Sequence, residues 1–162
     1  MIKFIFLPIS VDGASMMPTY EDGDIVIVNK IGKQISGIER FDVIAFVAPI
    51  GEIYIKRVIG LPGDHIAYEN DTLYINEESL EESYLDLYKK QLLDTGTLTL
   101  DFTLQSLTDY STIPEGYLFV LGDNRRISLD SRYPSVGLVP MEKVLGKANI
   151  RIYPFDSLGI VK

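Results

Sequence analysis

Apolar residues in this chain recur in short, β-branched runs. Ile25-Val26-Ile27-Val28, Val43-Ile44-Ala45-Phe46-Val47 and Tyr117-Leu118-Phe119-Val120-Leu121 are each bounded by Gly, Pro, Asn or Asp, which is the pattern of strands. No long apolar stripe at helical spacing competes with them. Turn chemistry agrees: Pro49-Ile50-Gly51 separates two such runs, and Glu69-Asn70-Asp71 lies between Ile66-Ala67-Tyr68 and Leu73-Tyr74-Ile75, predicting a hairpin. Near the end, Val144 to Tyr153 returns to strand-like alternation and is expected to rejoin the core sheet. The pattern predicts a mainly β, antiparallel protein.

One stretch differs in character. From about Asn76 to Thr112 the chain carries Glu77-Glu78-Ser79-Leu80-Glu81-Glu82, then Tyr84, Tyr88, Lys89 and Lys90, then Thr95-Gly96-Thr97. It reads as a small inserted subdomain, 76–112, in a core formed by 1–75 and 113–162. The plain reading of its acidic run is a solvated surface loop with a short helix or strand pair.

At 162 residues and 18.2 kDa the chain can bury a core of its own as one domain with an insertion. A formal charge of −8 opposes a phosphate-neutralising surface, so nucleic acid is a poor partner. Zero cysteines exclude disulfides and thiolate metal sites, and with one histidine no zinc site or other cofactor is expected. The apolar start, Met1 to Ile9, is about half the ~20 residues that span a bilayer and lacks a signal-peptide layout.

The same scarcity of histidine and cysteine narrows the chemistry. Ser15, in Gly13-Ala14-Ser15-Met16-Met17-Pro18-Thr19, is a candidate nucleophile, and lysine is the remaining candidate base. A lysine serves near neutral pH only if burial holds it uncharged, a cost of about 3–4 kcal/mol. Lys56 lies in Tyr54-Ile55-Lys56-Arg57-Val58-Ile59-Gly60, where alternation places Tyr54 and Val58 on its own face. Taken alone, each residue has a plainer reading: Ser15 as a turn serine, Lys56 as an edge-strand lysine that blunts pairing.

Three blocks in order break that tie: Ser15-Met16-Met17-Pro18-Thr19, Lys56-Arg57-Val58-Ile59-Gly60-Leu61-Pro62-Gly63-Asp64, and Gly122-Asp123-Asn124-Arg125 with Ser128-Leu129-Asp130-Ser131-Arg132. Together they resemble the type I bacterial signal peptidases, from about Phe4 to Pro154 and most weakly in the acidic segment. The resemblance implies a coiled β fold shared with self-cleaving repressor domains. It also implies a serine endopeptidase that removes signal peptides, with Ser15 as nucleophile and neutral Lys56 as general base. Ser128 then falls on a hydroxyl that orients the lysine, while Asp130 with Arg132 and Asp123 with Arg57 fall on supporting ion pairs. Small residues before the cut are the expected specificity, and Val11, Met16, Tyr20, Tyr54 and Ile55 are candidate walls of shallow apolar pockets.

Two departures stand out. Gly13 occupies a position where some members carry a hydroxyl that helps bind the oxyanion, so a replacement donor is expected. Members also carry membrane-spanning helices ahead of the catalytic region. Here the expectation is a chain whose anchor is missing, active on the outer side of the cytoplasmic membrane with Phe4 to Ile9 near the bilayer. Other chemistry fits poorly: His65 sits in a turn-like Pro62-Gly63-Asp64-His65, and Gly13-Ala14-Ser15-Met16-Met17 lacks the second glycine of a nucleophile elbow. A self-cleaving repressor domain and a non-cleaving homologue that binds signal peptides stay as alternatives. The first would need a DNA-binding module that is not found, and retention of Ser15 with Lys56 counts against the second.

Overall fold

Strands β1 (Phe6–Ser10), β2 (Ile25–Asn29), β3 (Val43–Val47), β4 (Ile53–Gly60), β5 (Ile66–Glu69), β6 (Thr72–Ile75), β7 (Glu78–Leu80), β8 (Phe102–Thr103), β9 (Tyr117–Leu121), β10 (Val139–Pro140), β11 (Val144–Tyr153) and β12 (Gly159–Ile160) follow one another along the chain. This is a computed structural model, and it describes residues 5–30, 37–92 and 94–161. All the strand pairs are antiparallel, as the alternation and turns predict. The larger sheet runs β1-β2-β11-β3-β4-β9-β10, with β12 added to β11. A smaller sheet runs β7-β6-β5-β8. It joins the predicted hairpin to two short strands from 76–112.

Strand β3 shows why these runs are continuous rather than alternating. Val43 and Ala45 pack into one apolar cluster with Val26, Val28 and Ile55, while Ile44 and Phe46 enter a second with Val58, Leu118 and Val120. A strand covered on both faces has no solvent side on which to place polar residues. A third cluster, including Ile59, Ile66, Tyr68, Leu73 and Phe119, ties the small sheet to β4 and β9. The hairpin β5–β6 turns on Asn70 and Asp71, both with positive φ, as a two-residue turn of matching twist requires.

The acidic run is not uniformly solvated. Glu82 is buried and pairs with the fully buried Arg125 at 2.6 Å, and it accepts hydroxyl bonds from Tyr68 and Tyr84 at 2.9 and 2.6 Å. Burial, reinforced by the Glu82 carboxylate, holds both tyrosine hydroxyls well above their ordinary pKa. A carboxylate that meets a guanidinium and two hydroxyls has replaced its water shell, which is why this one member of the run turns inward.

Candidate active site

Ser15 lies in the turn that links β1 to β2. That turn is held by backbone bonds from Val11 N–H to the Asp24 carbonyl at 2.7 Å and from Tyr20 N–H to the Met16 carbonyl at 3.0 Å. Gly13 has φ of +89° and donates its N–H to Asp22 at 2.8 Å. A β-carbon there would meet nothing within 4 Å, so space exists for a side chain while the backbone disfavours one.

Lys56 comes from β4 and is 4% exposed. Its Nζ donates to Ser15 Oγ at 2.7 Å and lies 5.2 Å from the centre of the Tyr54 ring. Burial lowers its pKa from 10.5 to about 8 against the opposing pull of the Asp130 and Asp123 carboxylates. The edge-strand reading therefore fails, since β4 is an interior strand between β3 and β9. An amine that sheds its proton near pH 8 beside an alcohol can accept the alcohol's proton.

The loop after β9 supplies Asp123, Ser128, Asp130 and Arg132, and β4 supplies Arg57. Asp130 is fully buried and takes two bonds from the Arg132 guanidinium, at 2.8 and 2.9 Å, and one from the Gly122 N–H at 3.0 Å. Asp123, also fully buried, forms a two-pronged pair with Arg57 at 2.9 and 2.7 Å and accepts the Thr19 hydroxyl. Arg57 further donates to the Phe41 carbonyl at 2.9 Å and stacks 3.9 Å over the Tyr84 ring. Both expected ion pairs are thus formed.

Ser128 is 2% exposed, and among the described residues its Oγ has no hydrogen-bond partner. The expected contact to the lysine is absent. Its place beside Ser15 is still marked by Gly122, where a β-carbon would come within 2.1 Å of Ser128 Oγ and 2.5 Å of the Ser15 carbonyl oxygen. Only a residue without a side chain lets the two loops close on each other.

A cleft of about 290 Å³ opens beside this pair. Val11, Met16, Tyr54 and Ile55, four of the residues read from the sequence as candidate pocket walls, are among those that line it. Tyr20 does not. It is fully buried in the core, its hydroxyl donates to the Ala148 carbonyl at 2.7 Å, and burial pushes its pKa up. Ile9, Ile53, Ile127 and Leu129 complete the apolar lining and escaped sequence reasoning. Ile127 and Leu129 flank Ser128 in an irregular loop without periodicity, and that flanking position is the one signal that could have found them. His65 stands apart, its Nδ1 bonded to the Ser111 carbonyl at 2.7 Å. No group of three or more His, Asp or Glu among the described residues is arranged to hold a metal ion.

Comparison with known proteins meets this geometry from another side. The family model for signal peptidase, peptidase S26, matches residues 1–153. The chain is 51% identical over 156 residues to signal peptidase I of Bacillus caldolyticus, spanning 96% of this chain and 84% of the relative. It is 41% identical over 158 residues to signal peptidase IB of Staphylococcus aureus, spanning 96% and 82%. A crystal structure of a signal peptidase I from Enterococcus faecalis superposes with a TM-score of 0.64 at 48% identity, covering 68% of this chain and 95% of the other. The matched span contains Ser15, Lys56 and the whole loop after β9, so both the fold and the identity converge on one conclusion: the chain belongs to the signal peptidase family, peptidase S26, serine endopeptidases that remove signal peptides from preproteins.

Proposed function

We propose that Ser15 is the nucleophile and Lys56 the general base of this endopeptidase. The observation that carries the reading is the 2.7 Å contact between a buried Nζ, held near pKa 8, and Ser15 Oγ. With the amine neutral, Ser15 Oγ passes its proton to Nζ as it attacks the scissile carbonyl. The resulting ammonium protonates the departing amine, leaving an ester on Ser15. Lys56 then takes a proton from the incoming water, which attacks the ester and frees the serine. The Ser15 N–H is the donor we assign to the oxyanion, with no side chain at Gly13 to assist it. Ser128 Oγ lies buried at the same junction, and we assign it to orient the lysine amine. Asp130 with Arg132, and Asp123 with Arg57, keep the loop in register.

The substrate lies extended against the cleft, where Val11, Met16, Tyr54, Ile55, Ile127 and Leu129 leave shallow apolar room that favours small residues before the cut. Segments 1–75 and 113–162 form the catalytic core, and 76–112 is an insertion that extends the β5–β6 hairpin. No nucleic-acid partner fits a charge of −8. The working surface is the outer face of the cell membrane, consistent with Ile5 and Phe6 standing 43% and 53% exposed at the start of the described chain; Phe4 lies outside the described residues. No helix among those residues is long and apolar enough to cross a bilayer. Liposome co-sedimentation should weaken in an Ile5→Ser/Phe6→Ser variant, and unchanged binding would refute the placement.

Turnover of a preprotein as a function of pH tests the assignment. The expected profile of kcat/KM rises through about pH 8, with Ser15→Ala and Lys56→Ala both inactive. Activity retained in either variant overturns it.

A further inference from the structure

Asn124 stands where three segments meet, and the roles given above do not use it. Its backbone N–H donates to the Ser15 carbonyl at 2.9 Å, and its side-chain Nδ2 donates to the Ala14 carbonyl at 3.0 Å. Its own carbonyl accepts the N–H groups of Ile127 and Ser128 at 3.1 and 2.9 Å. One residue therefore ties the Ser15 turn to the Ser128 loop. Its side-chain oxygen is taken by a group from the insertion, the hydroxyl of Tyr88, at 2.7 Å.

We infer that Tyr88 is a positioning residue for peptide-bond cleavage, acting through Asn124 from the inserted segment. An amide can point either its oxygen or its nitrogen at a neighbour, and only the nitrogen can bond the Ala14 carbonyl. The Ala14 carbonyl accepts only, so it sets the orientation with Nδ2 facing it, and by donating to Oδ1 the Tyr88 phenol braces the amide in that place. Without that hydroxyl the amide keeps one tether instead of two, and the bond to the residue before Ser15 loosens. The side chain that braces the amide is itself anchored. Tyr88 lies in the helix Asp86–Gln91, which follows Leu85, fully buried, and Glu82, paired with Arg125. Arg125 in turn donates to the Gly122 carbonyl at 2.9 Å, so the insertion grips the same loop at two points.

The inference rests on the Ser15 and Lys56 roles proposed above, and the two can fail separately. Steady-state cleavage of a preprotein would be measured for Tyr88→Phe, Asn124→Ala and the double variant, with Ser15→Ala as control. Tyr88→Phe should lower kcat by about three- to tenfold, the worth of one hydrogen bond in the aligned state, while KM and the acid limb of the pH profile stay unchanged. In the Asn124→Ala background, where no amide remains to orient, Tyr88→Phe should cause no further loss. If Asn124→Ala does not fold, Asn124→Leu serves in its place, since it keeps the volume but leaves no amide to hold. Wild-type kcat in Tyr88→Phe, an equal extra loss in the double variant, or a lowered melting point with kcat per folded molecule preserved would each overturn the inference. A Ser15→Ala enzyme that still turns over would instead overturn the assigned nucleophile.

Discussion

Replacing Lys56 by methionine should abolish cleavage and at the same time stabilise the fold at neutral pH. Lowering an amine from 10.5 to about 8 means that the buried ammonium is disfavoured by about 3 kcal/mol relative to its unfolded state. Methionine has a similar length and no charge, so it removes that cost and loses only the contact to Ser15, about 1 kcal/mol. The expected net gain is about 2 kcal/mol, or roughly 4–8 °C in Tm for a chain of this size. The sign of the pH dependence follows from proton counts. Between about pH 8 and 10.5 the unfolded chain holds the Lys56 proton and the folded chain does not, so wild-type stability rises with pH across that window. The advantage of methionine should therefore shrink to near zero at about pH 9.5. The window closes above pH 10, where the raised tyrosines begin to destabilise the fold, because unfolded Tyr20, Tyr68 and Tyr84 ionise first. Calorimetric melting of the wild-type and Lys56→Met proteins near neutral pH and at about pH 9.5 reads the effect. Equal stability at the lower pH, or a difference that does not change with pH, would refute the claim that burial lowers the Lys56 pKa.

Gly122→Ala should lower kcat by roughly a hundredfold or more, because its β-carbon would drive Ser128 and the Ser15 carbonyl apart; a near wild-type rate in a preprotein assay would show that the two loops need no such approach. Glu82→Ala leaves the Arg125 guanidinium buried without its carboxylate and should cost about 3–5 kcal/mol in urea unfolding at unchanged slope, whereas a loss under about 1 kcal/mol would mean that water replaces the pair. Arg132→Met should move the acid limb of the pH profile above pH 8, since an unpaired Asp130 would favour the Lys56 ammonium; a limb that stays or moves down contradicts this.

The parts of this molecule that could be read from its sequence are those governed by local rules. Val43 to Val47 and Tyr117 to Leu121 became strands as written because β-branched runs between turn residues have few alternatives, and Asn70-Asp71 closed its hairpin for the same reason. Glu82 could not be read in this way. An acidic run looks the same whether its last carboxylate meets water or a guanidinium 43 residues away. Tyr20 failed similarly: its position near Ser15 in sequence says nothing about a hydroxyl that reaches a carbonyl 128 residues distant. The pair of Ser15 and Lys56, 41 residues apart, was accessible because the composition had removed imidazole and thiol, and because the three blocks resemble one family in order.

The two carboxylates whose charge reaches the lysine oppose the loss of its proton, and each is paired with an arginine. An unpaired carboxylate close by would favour the ammonium by up to about 4 kcal/mol, against the direction in which burial pushes it. Asp130 cannot simply be dispensed with, because its side chain accepts the Gly122 N–H and so shapes the loop that closes on Ser15. Asp123 likewise anchors Thr19 beyond the Ser15 turn. Arg132 and Arg57 hold both acids in place through paired bonds, and burial is the dominant influence on Lys56. Lysine in their place would match the charge but not the paired N–H geometry seen at both carboxylates.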